Sequence, residues 1–327
     1  MIINYMLSVK GVFELGLKMG INADPRGKKG VEGYLARSKK EYARLSKKEQ
    51  KEFDQEKLSN PYLDSGVHVD DGKTKVKRVL VGIDITEAEI LLASQMNERG
   101  KPIDLVISHH PVGKGRAGLA DVMEMSVEVY ESYGVPIHIA EKIHEERMKL
   151  VGRNLHASNH YKIVDVARLL GVNFLSTHTI ADNLVDEYLR NYLAKVRPHT
   201  VGDILDALLE IPEYREAKKL GFGPVISAGS AKYRAGKYII EMTGGTEPSA
   251  KVYEYLSRAG FSTTVGMHMH EDLLSRASEH HLNVIMAGHM SSDSLGMNLF
   301  LDELEKKGVE IVPCGGLIRV SRNKKKK

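Results

Sequence analysis

From Val76 onward the chain alternates short apolar runs with longer stretches in which apolar residues recur every three or four positions. The runs at 79–85, 103–107, 172–177 and 283–287 are nearly continuous in aliphatic and β-branched residues, as expected of strands buried on both faces. Further strands are predicted at 135–140, 224–228, 238–243, 262–267 and 309–313. Helices are predicted between them. One is capped by Thr86 with Glu89 three residues on and closed by Gly100, and others span 120–133, 141–150 and 160–170. Another ends near Val196, one is capped near Thr200, and the rest lie at 249–259, around 273–280, and from the 288–293 segment to Lys307. Strand–helix alternation of this kind predicts an α/β fold, three-layer αβα, with mostly parallel or mixed sheets and helices on both faces. The second half repeats the style of the first, so two related α/β halves are expected, although no short-period repeat is visible.

The first sixty residues depart from this pattern. Residues 27–57 are dense in Lys, Glu and Gln, with Tyr34, Leu35, Tyr42, Leu45 and Phe53 at roughly helical spacing. One or two solvated helices laying a thin apolar stripe on the body fit this best. Basic and acidic residues are interleaved, so a charged exposed helix is favoured over a nucleic-acid-binding arm. Residues 1–20 are mildly apolar but interrupted by Lys10, Glu14 and Lys18, and are read as neither signal peptide nor membrane span. The expected organisation is therefore a charged helical extension at 1–60, α/β halves at 61–199 and 200–322, and a basic tail at 323–327.

Composition narrows the chemistry. A net charge of +4 on 327 residues is too small to argue for nucleic acid, and the lone Cys314 excludes a disulfide framework or a zinc site built from several thiolates. A cytoplasmic protein without membrane association is expected. What remains is histidine and aspartate at strand ends: Ser108-His109-His110-Pro111 after one strand, His178-Thr179-Ile180-Ala181-Asp182 after another, and Gly288-His289-Met290-Ser291-Ser292-Asp293 after a third. In open α/β sheets the carboxyl ends of strands are where ligands bind. Asp182 and Asp293 are expected in the first turns of their helices, where the dipole keeps a carboxylate ionised. Three imidazoles and two carboxylates exceed what one tetrahedral zinc needs and suit two divalent ions, with zinc, iron, manganese and cobalt all compatible. Singly, each residue has a plainer explanation: a satisfied core pair for His109 and His110, helix-start chemistry for Asp182, an N-cap for Ser292 and Asp293. The case rests on their convergence around one site.

Taken together, the three motifs resemble those of the Nif-three-like family (NGG-interacting factor three), often labelled GTP cyclohydrolase type-two-like. The family pattern is His-His-Pro after a strand, then His-Thr followed by Asp, then Gly-His with an acid four residues later. The similarity runs over roughly residues 61–322. It implies that His109, His110, Asp182, His289 and Asp293 match the ligands of a dinuclear metal site, and that the chain assembles as a homohexameric ring. Three departures stand out: Asp293 replaces the family's usual glutamate, residues 141–170 look like added helical material, and the amino-terminal segment is longer than usual.

Other histidines compete. His156 and His160 are four apart and could clip a metal on a helix, though their polar surroundings favour an exposed helix start. His268 is expected to line a pocket and His270 to start a helix. His178 is the candidate orienting or acid–base group. Cys314 is expected to be a small buried hydrophobe, and Gly244-Gly245 and Gly315-Gly316 tight turns. Two functions follow. The first is a metal-dependent hydrolase acting on a nucleotide-like or other small substrate, by cyclohydrolase-type or phosphoester hydrolysis, with His178 handling a proton. The second is a non-catalytic metal-holding ring that serves as a ligand-binding, regulatory or partner-binding module. A phosphoesterase of the Asp-His-His type is undercut by Ser108, which stands where a ligand aspartate would be needed.

Overall fold

The computed structural model describes residues 6–323. The strands among them are β1 (Ser65–Val69), β2 (Arg78–Gly82), β3 (Leu105–Ser108), β4 (Phe174–Thr177), β5 (Val225–Ala228), β6 (Lys237–Glu241), β7 (Phe261–Gly266), β8 (Asn283–Met286) and β9 (Glu310–Cys314). They form two sheets with one plan. The first has the order β1-β4-β3-β2-β9 and the second β5-β8-β7-β6. In each, an edge strand (β1 or β5) runs antiparallel and the remaining pairings are parallel.

Three helices precede β1: α1 (Val9–Ala23), α2 (Gly27–Arg44) and α3 (Lys47–Glu52). Between β2 and β3 lies α4 (Glu87–Glu98), whose Thr86–Glu89 capping box forms as the sequence predicts. The long β3–β4 connection holds α5 (Gly113–Ala117), α6 (Leu119–Val122), α7 (Met125–Ser132), α8 (Ile137–His156) and α9 (Lys162–Leu169). Then come α10 (His178–Val196), α11 (Val201–Glu210) and α12 (Pro212–Lys219), and, within the second half, α13 (Val252–Arg258), α14 (Glu271–Glu279) and α15 (His289–Lys306).

The continuous apolar runs are explained by what covers each face. On β2, Leu80 packs with Val106 and Phe174 against Ile90 of α4 and Ile163 of α9. Its neighbours Val79 and Val81 point the other way, onto Val9 and Val12 of α1, Ala181 of α10 and Phe300 of α15. The second sheet repeats this. Ile240, Val265 and Ile285 face Val185 and Leu189 of α10 and Leu295 of α15, whereas Ile239 and Val284 face α7, α8, α13 and α14. Each sheet is thus the middle of an αβα sandwich, and the two sandwiches share the layer that contains α10 and α15. No described helix is long and apolar enough to cross a membrane.

Three expectations need correction. Residues 135–140 are not a strand: Pro136 caps α8, which begins at Ile137. Val135, Ile137 and Ile139 mimic period-2 alternation over six residues, and the helical spacing appears only once Ala140, Ile143 and His144, all buried, are read with them. The amino-terminal segment is not wholly an appendage either. α2 buries only Val31 and is tied down by surface ion pairs such as Arg37–Glu128 (2.7 Å), but α1 lies in the core. Gly16 and Gly20 make that possible, since a Cβ at Gly20 would stand 3.0 Å from the Ile180 backbone. Finally, the second half is not contiguous. β9 returns to pair with β2 of the first sheet, in register Arg78↔Glu310, so residues 310–314 belong structurally to the first half. Of the predicted basic tail only Asn323 is described, donating to the Asp302 carbonyl (2.8 Å); residues 324–327 lie outside the described residues.

Candidate metal centre

The ends of three parallel strands deliver the site. Beyond β3, the backbone amides of His109 and His110 continue the ladder to Gly82 and Ile83 (2.9 and 3.0 Å), which fixes both imidazoles at the sheet's carboxyl edge. β4 runs straight into α10, whose first residue is His178 and fifth is Asp182. β8 leads through Gly288, at φ 105°, into α15, whose first residue is His289 and fifth is Asp293. The two halves therefore present the same one-turn His–Asp pair on helices that pack against each other in the shared layer.

All five predicted ligand residues come together. His109 Nε2 lies 3.4 Å from both Asp182 Oδ1 and Asp293 Oδ1. His110 Nε2 lies 3.3 Å from Asp293 Oδ2 and 3.4 Å from His289 Nε2, and His289 Nε2 is 3.4 Å from Asp293 Oδ2. Apart from His110 Nε2 and His289 Nε2, these contacts pair atoms without making hydrogen bonds: His109 Nδ1 and Nε2, Asp182 Oδ1 and both oxygens of Asp293 are buried and have no hydrogen-bond partner. Such atoms are rare in folded proteins and demand a cause. Nitrogen and oxygen donors so arranged fit a divalent cation, and overlapping groups, His109–Asp182–Asp293, His110–His289–Asp293 and His109–His110–His178, could each hold one.

Electrostatics correct one expectation. Because α10 and α15 begin at the histidines, Asp182 and Asp293 sit past the first turn, where the dipole has faded. Their states are set by neighbours instead. Burial alone would raise Asp293, but His109, His110 and His289 hold it far below the usual carboxylate range. Burial pushes Asp182 well above that range, and Asp293 adds to the push against the pull of His178. Burial lowers His109 to about 4, leaving it neutral as a metal ligand must be. Burial also opposes charge on His110, but Asp293 and Asp84 outweigh it and raise the imidazole to about 10.

Two acids that the sequence reading passed over orient this set. Asp84 accepts from His110 Nδ1 (2.8 Å) and Asp64 from His178 Nδ1 (2.7 Å), so each ring turns its Nε2 toward the centre. Asp64 also accepts from the Thr179 hydroxyl (2.6 Å). Asp84 directly follows an apolar strand, which was a readable signal; Asp64, in a loop before β1, offered none. A second group, Glu247 with His268 and His270, lies alongside, with the His268 and His289 rings 4.6 Å apart. His268 Nδ1 donates to Glu247 Oε1 (3.0 Å) and His270 Nδ1 to Oε2. His268 lines the cleft and His270 caps α14, as expected. By contrast, His156 ends α8 while His160 follows it in coil, so the two share no helix face. Burial raises the Cys314 thiol to about 11, the state of an unreactive sulfur. The centre opens onto a cleft of about 350 Å³ that also reaches Tyr130, Tyr133, Glu241 and the Gly244–Gly245 turn.

Fold and centre together define a mixed α/β protein with two sheets flanked by helices and with His/Asp groups able to hold metal. Comparison with known proteins finds the same fold in solved structures. The chain is similar over 95% of its length to a NIF3 superfamily protein from Sphaerobacter thermophilus, with 99% of that chain covered, 25% identity and a TM-score of 0.74. This likeness supports placing the chain with the NIF3-like proteins. The reduced HcgD of Methanocaldococcus jannaschii matches at 16% identity over 82% of this chain and 97% of that one, with a TM-score of 0.48. A non-fluorescent flavoprotein of Photobacterium phosphoreum is 29% identical over 92 residues, 27% of this chain, and the chain spans 40% of that relative's length. No family model matches the chain.

Proposed function

We propose that the chain is a metal-dependent hydrolase that holds two divalent ions, of zinc, iron, manganese or cobalt, on His109, His110, Asp182, His289 and Asp293. Its substrate would be a nucleotide-like or other small molecule lodged in the cleft. The observation that carries this is the set of buried, unpartnered nitrogens and oxygens at the meeting of three strand ends. Each costs about 1–3 kcal/mol when left unmatched, and a cation removes that cost. Bound ions would supply Lewis acidity and an acidified water. The chain's own residues do the rest. Asp84 orients His110, and Asp64 keeps a proton on His178 Nδ1 so that Nε2, 3.8 Å from Asp182 Oδ2, is the atom that takes and returns a proton.

Elemental analysis of protein purified without added metal, beside Asp182→Ala and Asp293→Ala, tests the ligand assignment. Stoichiometric metal in the parent and its loss in both variants is expected; equal metal in all three would overturn the assignment. Turnover of a nucleotide panel that is abolished by a chelator and by His178→Gln, with metal retained in the variant, tests the hydrolase. Tight metal with no turnover across the panel would instead leave a binding module. The same reading includes two α/β halves, 61–199 completed by β9 and 200–309, assembled as a cytoplasmic ring of six copies. Light scattering decides the copy number.

A further inference from the structure

The second sheet carries more chemistry along its carboxyl edge than the metal centre uses. Glu241 ends β6, Gly266 ends β7 and Met286 ends β8, and these three residues stand side by side in register. Three residues past Met286 is His289, and two past Gly266 is His268. The edge is therefore a row from the centre, past His268, to Glu241. Strands are about 4.8 Å apart, so Glu241 lies about 10 Å from the end of β8. Gly266 has no side chain to interrupt the row. The cleft follows it, lined by the centre at one end and by Glu241, Tyr130, Tyr133 and Tyr253 at the other.

Glu241 has an unusual set of partners. Tyr130 donates to Oε1 (2.5 Å), and Tyr253 (3.3 Å) and Thr264 donate to Oε2. All are neutral hydroxyls, and no lysine, arginine or histidine among the described residues pairs with it. Asp186, the other acid on this side of the cleft, has its cation in Arg190 (2.6 Å), and Glu247 has two histidines. A carboxylate has room for about four hydrogen bonds, so Glu241 keeps capacity for a further donor. A carboxyl held in place by hydroxyls beside a cleft, with no counter-ion from its own chain, is a receptor for a cation brought by the ligand.

We propose that the cleft takes a small ligand bearing an oxyanion at one end, for the metal centre, and a protonated amino group at the other, for Glu241. The inference rests on the metal-site reading at its oxyanion end only. Burial pushes the Glu241 carboxyl up while the three hydroxyls draw it down, and an incoming ammonium would hold it ionised.

The probes are ω-aminoalkylphosphonates of three to six carbons, each paired with the hydroxyalkylphosphonate of equal length, titrated by calorimetry. The amino member should bind at least tenfold tighter at the best-fitting length, and Glu241→Gln should reduce that ratio to near one. A ratio near one at every length on the parent, or one that survives in the variant, overturns the proposal. The parent arm requires no variant to fold. The titrations are repeated on chelator-treated protein. A ratio that persists there while the phosphonate adds nothing in either state sinks the metal reading and leaves the amino-group site standing; a ratio of one in both states sinks this proposal alone.

Discussion

The contact between α10 and α15 can be tested with one methyl group. Gly296 sits three residues past Asp293, and a Cβ there would stand 2.9 Å from the Ala181 carbonyl carbon and closer still to its oxygen. The oxygen, at 2.3 Å, is the tighter contact and is backbone, so Gly296→Ala must part the helices by about 1 Å. Helix propensity favours alanine by about 1 kcal/mol, whereas overpacking of a tight core costs about 1–3 kcal/mol. Because the atom that must yield is backbone, the upper end of that cost applies and the net destabilisation is about 2 kcal/mol. The effect on the centre is not small. Ala181 adjoins Asp182, so the two carboxylates separate by the same distance, several times the tolerance of about 0.2 Å within which metal–ligand bonds are held. We expect Gly296→Ala to stay folded but to lose at least tenfold in affinity for zinc or cobalt, read by competition with a chromophoric chelator and with thermal melting as the control. Gly33→Ala on α2, where the new methyl meets only the tip of Arg37 at 3.8 Å, should leave metal binding alone and be neutral to slightly stabilising. Parental affinity in Gly296→Ala would mean that helix spacing does not set the geometry of the centre.

Asp64→Asn should lower metal affinity or turnover 10–100-fold, because an amide cannot accept from both His178 Nδ1 and the Thr179 hydroxyl with the strength of a carboxylate; unchanged values would show that the orienting contact is idle. Metal affinity should climb with pH through neutrality. His110 is raised to about 10 in the metal-free protein, so its proton is held below that pH and must leave before Nε2 can bind, giving about tenfold per pH unit between 6.5 and 7.5. Calorimetry in buffers of different ionisation enthalpy would count the proton, and a pH-independent constant would refute the assignment. Arg322→Ala should destabilise the fold by about 3 kcal/mol in denaturant titrations, since it leaves the fully buried Glu213 without the guanidinium that now grips both its oxygens at 2.8 and 2.9 Å.

The strands that carry the centre were readable because each is sealed on two faces, and the candidate ligand residues because they stand where those strands stop. Bringing His109, His110, Asp182, His289 and Asp293 together required only that three strand ends meet, although they meet from two sheets and not along one edge. The failures share a cause in contacts distant along the chain. Nothing local in residues 310–314 says which sheet they join. α1 is mildly apolar with three glycines, and its burial becomes evident only where Gly16 and Gly20 meet Phe300 and Ile180. The ionisation of Asp182 could not be inferred from helix position, because burial and Asp293 govern it. Asp64 was silent for the same reason: its role exists only after β1 has paired with β4.

The split origin of the centre has a mechanical consequence. His109, His110 and Asp182 come from one sandwich and His289 and Asp293 from the other, so the two candidate groups that include Asp293 are complete only when the sandwiches meet. Cations seated there would act as rivets across the seam, adding stability in proportion to the logarithm of their free concentration over the dissociation constant. Stripping them should loosen the join first and each sandwich only afterwards, with amide exchange quickening at the start of α10 and α15 before it does in β2 or β7.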